Sequence, residues 1–361
     1  MSQNDNVIPS SDIPNLDARP VRLAYLLIDG FALMSYAPVV EPFRAANRLG
    51  GKTRYSWRHY SVTGAPAKAS NGVELSVDGA VTAMDKADII FVCAGGNPAV
   101  FDDRQTFEAL RRVERFGATL CGVSGGPFIL ARAGLLDGYS CTVHWEHEAS
   151  FRETFIRPKL ENGLFVIDRK RMTCAGGLAG LDLATTLIAA SHGPSLAGMV
   201  SDWYIQTEQR QPSRPQRRSP ALRYRISHDG LTRALTAMEQ AMTEPLSKGA
   251  LAEIAGISIR HLERLFRVTL STTVGDHYRA LRLQEAYRLL TETTASMTEV
   301  SAACGFASTS NFSKAFKNFF TVPPSTARRS SAVYTAPIRG HSDTRIDLEH
   351  GFQKAVVRMG E

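Results

Sequence analysis

The pattern that most constrains this chain occurs twice. LSKGALAEIAGISIRHLERLFRV (Leu246–Val268) reads as a short helix carrying Leu251, Ile254 and Ala255, followed by a glycine turn at Gly256. Ile257 then plugs the core and Ser258 caps a second helix, whose Leu262, Leu265 and Phe266 share one face. MTEVSAACGFASTSNFSKAFKNFF (Met297–Phe320) repeats the arrangement, with Gly305, Phe306 and Ser308 at the turn and Phe312, Ala315 and Phe316 on the face. Between the copies, DHYRALRLQEAYRLLTET offers Tyr278, Leu281, Leu283, Ala286, Leu289 and Leu290 to pack on both. Apolar spacings of three and four exclude strands here. The spacing predicts an all-α unit built from two helix-turn-helix motifs on one connecting helix.

Charge separates this half from the rest. Residues 1–208 carry a net charge of −2, residues 209–331 carry +9, and the last thirty balance. A basic half beside a near-neutral one points to a polyanion that meets only the second half. Two recognition helices on a rigid connector suit successive major-groove segments of double-stranded DNA, about 34 Å apart. Arg260, His261 and Arg264 are the expected base-edge residues of the first motif, and Ser310, Asn311 and Lys314 those of the second. Lys317, Arg267 and Arg279 are expected at phosphates. Residues Leu231–Arg328 resemble the AraC/XylS family of transcription regulators: SIRHLERLFRVTL looks like that family's first recognition helix and GFASTSNFSKAFKNFF like its second signature. One departure is Thr321 in FFTVPPS, where the family usually has glycine.

The first half alternates strand-like and helix-like segments. VRLAYLLI, YSWRHYSV, VELSV, ADIIFVCAGG, TLCGVS and SCTVHW read as strands, and GLFVIDRKRMTCAGG as a hairpin-like pair. Helices are expected over EPFRAANRLG, Gln105–Phe116, GPFILARAG, GLDLATTLIAASHG and GPSLAGMVSDWYIQ. This predicts a doubly wound, flavodoxin-like α/β domain with a largely parallel sheet and a ligand site beyond the carboxyl ends of its strands. The expected layout is a disordered N-terminus (1–20), the α/β sensor domain (21–208), an exposed basic linker (209–221), the DNA-binding domain (222–331) and a C-terminal tail (332–361). Five cysteines without C-x-x-C pairing or disulfide-like spacing fit a reducing compartment. The polar N-terminus lacks an apolar signal-peptide core, and no run reaches the roughly 20 apolar residues of a membrane helix. A cytoplasmic, bacterial protein is expected, nucleoid-associated when on DNA and without a membrane partner.

GVSGG (Gly122–Gly126) satisfies G-x-S-x-G, the turn on which serine hydrolases present a nucleophile. A hydrolase of that kind needs an acid and then a distant histidine, whereas His144 follows only twenty residues on. ADIIFVCAGG, GVSGGPFILARAGLLDG, TVHW and TCAGGLAGLDLA together resemble the class I glutamine amidotransferase-like superfamily, including its intracellular-protease-like members, over about Val21–Tyr204. The resemblance implies an elbow whose cysteine is replaced by Ser124, a histidine at His144, and an early glutamate, Glu41, approaching the elbow. Serine needs an aligned base and an orienting acid that a cysteine can do without; only Glu146 and Glu148 lie near His144 in sequence. The elbow is therefore read as catalytically degenerate at Ser124 and His144. Its ligand-binding set is Glu41, Ser124, Gly125, His144 and Trp145, with Phe31 and Tyr36 as further aromatic candidates.

An amidotransferase-like half fused to this DNA-binding half resembles regulators of amino-acid and quaternary-amine catabolism, responsive to arginine, glycine betaine or carnitine. The resemblance implies a small amine or amino-acid effector, its carboxylate at the elbow and its cation on aromatics. The expected protein is a transcription activator and a homodimer through its α/β half, with RNA polymerase as a partner if it activates. No cofactor is expected, and no metal, since His144 and His147 lack a third ligand. The alternative is a bifunctional amidase or hydrolase using Ser124 and His144.

Overall fold

A computed structural model describes residues 19–84, 86–293 and 295–331. The stretches read as an N-terminus, as far as residue 18, and as a tail (332–361) lie outside the described residues. The chain divides into two compact units, Met1–Gln216 and Arg217–Glu361.

In the first unit the strands are β1 (Val21–Leu27), β2 (Tyr55–Ser61), β3 (Ala67–Lys68), β4 (Glu74–Leu75), β5 (Gly79–Ala80), β6 (Ile89–Ala94), β7 (Thr119–Ser124), β8 (Ser140–Cys141), β9 (Lys159–Leu160), β10 (Phe165–Asp168) and β11 (Arg171–Cys174). Seven form one sheet in the order β10-β11-β7-β6-β1-β2-β5, parallel throughout except for the β10–β11 hairpin. Strands β6 and β7 are buried at every residue, as the unbroken apolar run of β6 requires of a strand covered on both faces. The helices are α1 (Leu33–Leu49), α2 (Arg104–Arg115), α3 (Gly126–Arg132), α4 (Glu148–Thr154), α5 (Ala179–His192) and α6 (Pro194–Trp203). Two cores result, one holding Tyr25, Phe43, Phe91 and Leu183, the other Ile90, Leu110, Phe128 and Phe151. Chain order reverses between β1 and β6, so the crevice beyond their carboxyl ends is where such sheets bind ligands.

Several sequence expectations are corrected. Helix α1 begins at Leu33, eight residues before the stretch that reads as helical, and contains Pro38 and Pro42. These prolines sit one turn apart, and packing of Val39, Phe43, Ala45 and Ala46 carries the helix through both. The strand expected over SCTVHW stops at Cys141; Trp145–His147 forms a 3-10 turn. VELSV keeps only the two-residue β4.

The second unit holds α7 (Pro220–Arg223), α8 (Asp229–Gln240), α9 (Lys248–Ala255), α10 (Ile259–Leu270), α11 (Val274–Glu292), α12 (Met297–Ala303), α13 (Thr309–Phe320) and α14 (Pro324–Ser331). Both expected motifs form: α9 and α10 turn at Gly256 (φ +69°), α12 and α13 at Gly305 (φ +67°). This left-handed backbone is the one glycine adopts without steric cost. Ser258 and Ser308 accept the backbone N–H groups of His261 and Asn311, capping α10 and α13. Leu262 and Phe266 in one motif, and Phe312 and Phe316 in the other, are fully buried.

The repeat extends further back than the motifs alone suggest. Arg233 on α8 donates to Ile254 O and Ala255 O, and Arg282 on α11 donates to Cys304 O and Gly305 O. Each arginine stands twenty-three residues before the glycine of its turn. The unit is thus two three-helix modules, α8-α9-α10 and α11-α12-α13, closed by α14.

The segment expected to be an exposed linker is corrected as well. Its first part belongs to the α/β unit: Arg210 pairs with the wholly buried Asp182 at 2.6 Å, and Leu164 N donates to Pro212 O at 2.7 Å. A buried carboxylate without a cation would be costly, and Arg210 is the cation that meets it.

Candidate functional site

Strand β7 ends on Ser124, whose φ of +59° lies in the left-handed region, and α3 starts two residues later. Such a conformation in a serine costs about 1–2 kcal/mol and persists only where its surroundings over-determine it. Those surroundings are tight. Gly125 N donates to Ala94 O at 2.9 Å, and His144 N reaches Ser124 O at 3.4 Å. A Cβ on Gly126 would lie 2.0 Å from Val92 O, so helix and sheet approach as closely as a glycine permits. The elbow expected from GVSGG is therefore present as a strained strand-to-helix turn. Ser124 is 6% exposed.

Of the residues expected around it, the structure gathers some and replaces one. Gly125 is the residue before α3, and His144 stands beside the elbow through its backbone contact with Ser124. Its Nδ1 accepts the Glu146 N–H at 3.3 Å and lies 3.8 Å from Glu146 Oε2. Trp145 is half-buried, its ring centroid 5.3 Å from that of His144.

Glu41 does not reach the elbow. It pairs with Arg44 at 2.6 Å and accepts from Tyr204 Oη at 3.1 Å. The residue of α1 that arrives is Ser35, 5% exposed, which accepts the Gly177 N–H at 2.9 Å. A Cβ placed on Gly176 would lie 2.7 Å from both Ser35 Oγ and Ser124 Cβ, which fixes the two serines as neighbours across that glycine. Ser35 and Glu41 are six residues apart, about 240° around the helix, so they cannot share a face. Nothing in the letters around Ser35 marks it, since its place at the elbow follows from the phase of α1.

The aromatic candidates divide. Phe31 is wholly buried and packs on Tyr36 at 5.8 Å; Tyr36 is half-buried and hydrogen-bonds His59 Nε2 at 2.7 Å. Burial pushes the Tyr36 phenol well above its ordinary value, so it remains a neutral hydroxyl. His147 is buried against Phe128. Among the described residues no group of three His, Cys, Asp or Glu side chains could hold a metal ion.

In the second unit, Arg260, Arg264 and Arg267 are exposed on α10, and Ser310, Asn311, Lys314 and Lys317 on α13. Matching buried residues put these side chains on the outward face of each helix. His261 is half-buried, edge-on to His228 at 5.7 Å, and its Nε2 lies 3.2 Å from Arg264 Nη2. A guanidinium only donates, so His261 accepts and steadies Arg264. Arg279 is exposed but paired with Asp276 at 2.9 Å.

Comparison with known proteins agrees with both units. Residues 22–190 match the DJ-1/PfpI family and residues 251–330 a helix-turn-helix domain. HTH-type transcriptional regulator GlxA of Rhizobium meliloti is 40% identical over 89% of this chain and 98% of its own length. CdhR of Pseudomonas aeruginosa, also an HTH-type transcriptional regulator, is 40% identical over 84% of this chain and 90% of its own. GbdR from the same species is 36% identical over 89% and 88%. Among solved structures, an AraC family transcriptional regulator from Pseudomonas putida is 26% identical, covers 51% of this chain and all of its own, and has a TM-score of 0.47.

Proposed function

This chain belongs to the HTH-type transcriptional regulators that join a DJ-1/PfpI domain to an AraC-type DNA-binding unit, and from that premise we propose that it is an effector-responsive activator of catabolic genes. It is a regulator rather than an enzyme, as the names of these relatives indicate. The observation that carries the DNA-reading part is the matched pair of outward faces on α10 and α13, each set by a serine cap, a glycine turn and an arginine clamp. On this reading Arg260 and Arg264 meet base edges in one major-groove segment and Ser310, Asn311 and Lys314 in the next, while Lys317 and Arg267 meet phosphates. His261 orients Arg264.

The effector is a small amine or amino acid seated at the elbow, among Ser35, Ser124, Gly125, His144 and Trp145. Support comes from the strain kept at Ser124 although the α1 residue that reaches it is Ser35 and not a carboxylate. The protein acts in a bacterial cytoplasm as a homodimer on nucleoid DNA and recruits RNA polymerase. Selection of bound duplexes from a random-sequence pool should enrich two elements about one helical turn apart. A single enriched element, or none, overturns the paired-reader reading. Thermal-shift titration with glycine betaine, carnitine and L-arginine should raise the melting temperature of the full chain with at least one. A flat response to all three removes this effector class.

A further inference from the structure

The end of the first unit is a strap with three anchors. Asp182, wholly buried in the first turn of α5, accepts from Gln206 Nε2 at 2.7 Å and from Arg210 N, Nε and Nη2 at 3.0, 2.9 and 2.6 Å. Leu164 N then donates to Pro212 O at 2.7 Å. The last anchor is Gln216, half-buried in an otherwise exposed run from Ser213 to Ser219. Its Oε1 accepts the Trp145 N–H at 2.7 Å. Its Nε2 donates to Val143 O at 2.9 Å, Gly163 O at 2.8 Å and Thr142 Oγ1 at 3.1 Å. The amide can face only one way, because Trp145 offers a backbone donor while Val143 and Gly163 offer carbonyl acceptors.

Two of these partners flank His144, whose own N–H reaches Ser124 O. One side chain thus spans the loop that carries the elbow histidine, and the next residue, Arg217, begins the second unit. Asp182 and Leu164 already fasten the strap, so a further clamp at its last residue does something other than hold the α/β fold together. Its hydrogen bonds need the 142–145 backbone in register to within a few tenths of an ångström. A ligand pressing on His144 and Trp145 would make or break them together.

We propose that Gln216 is a latch: it couples occupancy of the Ser124 elbow to the freedom of the chain entering the DNA-binding unit. This regulation rests on the effector reading of the elbow. When the 142–145 loop shifts, the amide loses Val143 O and Trp145 N at once, and the run 213–219 gains mobility. By linkage, loosening the latch also changes the elbow's affinity for its effector.

Hydrogen exchange on the full chain tests this without knowledge of the operator. Gln216→Glu keeps the shape but sets a carboxylate oxygen against two carbonyls. Exchange of the 213–219 amides and of Trp145 N–H should rise at least fivefold, with the tryptophan-fluorescence melt of the first unit unchanged. His144→Ala, which leaves the backbone groups held by Gln216 in the chain, should loosen 213–219 to a similar degree. Wild-type exchange rates over 213–219 in either variant overturn the latch. The same peptides are then followed with glycine betaine, carnitine and L-arginine. A compound that raises the melting temperature but leaves 213–219 unchanged defeats the latch and spares the effector reading. If no compound binds while His144→Ala still loosens the strap, the latch stands and that effector class falls.

Discussion

Arg233 and Arg282 stand at matching distances before the two turns of the second unit, Arg233 donating to the last two carbonyls of α9 and Arg282 to the Cys304 and Gly305 carbonyls of the turn just past α12. Carbonyls at a helix end and in the turn after it have no intrahelical partner, so each arginine ties down the backbone from which its recognition helix departs. Arg282 also lies over the Phe306 ring at 4.3 Å, tying the clamp to the residue that plugs its turn.

Removing either clamp should destabilise the second unit while sparing the first. Hydrogen bonds from a charged donor contribute about 1.5–3 kcal/mol, so Arg233→Ala or Arg282→Ala should cost about that much. The protein's three tryptophans, Trp57, Trp145 and Trp203, all lie in the first unit. Urea unfolding followed by tryptophan fluorescence should therefore be unchanged, while the helical circular-dichroism transition moves to lower urea. A shared shift of both signals would show that the arginines act on the whole chain.

This pair also shows how far the sequence could be read. The motifs were legible because Gly256 and Gly305, Ser258 and Ser308, and the phenylalanine faces are local and periodic. The clamps were not, since an arginine on one amphipathic helix looks like any other until the fold brings a carbonyl to it. The sheet was legible in the unbroken apolar run of β6 and the nearly unbroken one of β1. At the elbow, Ser124 and His144 could be found from their flanking letters. Helix phase, which no local letter displays, brings Ser35 of α1 to the elbow and turns Glu41 toward Arg44 and Tyr204. The strap was misread because Pro, Arg and Ser signal exposure, and nothing local in the sequence tells that Asp182 awaits Arg210.

Ser271 and Thr321 end the two recognition helices in the same left-handed conformation, at φ +52° and +64°. Glycine takes this position without steric cost, and a β-branched threonine suffers most there. Thr321→Gly should stabilise the second unit by about 1 kcal/mol, and Ser271→Gly by somewhat less. The dichroism melt should move upward in both. A downward shift would mean that Thr321 Oγ1, which donates to Phe320 O, outweighs the backbone strain.

His277 gives the second unit an acid-side weakness. It is 6% exposed, edge-on to Tyr224 and Phe266, and its Nε2 has no hydrogen-bond partner among the described residues. Burial first, and the Arg223 charge second, push the imidazole down to about 4 from its ordinary 6.5. Between these values the unfolded chain binds a proton that the folded one refuses, so stability rises with pH in that window and falls on acidification. Full stability on this account is present above about pH 6.5 and is progressively lost toward pH 4. His277→Leu should flatten the dichroism melting temperature over this range relative to wild type. An unchanged pH slope in the variant would assign the weakness to other groups.

Arg264 and Lys317 should fail in different ways when removed. Arg264 is held by His261 at the centre of the outward face of α10, where a guanidinium can meet a guanine edge with two hydrogen bonds. Lys317, near the end of α13, brings a flexible point charge suited to phosphate. Arg264→Ala should cost about 1–3 kcal/mol on the selected duplex and relax preference at one base pair, leaving binding to unrelated DNA nearly unchanged. Lys317→Ala should weaken binding to every duplex alike, and the slope of log affinity against log salt should become shallower by about 0.9. Affinity measured on selected and scrambled duplexes across a salt series separates the two. If Lys317→Ala changes base preference while Arg264→Ala changes only the salt slope, the assignments are reversed and α13 is the helix that approaches base edges at its far end.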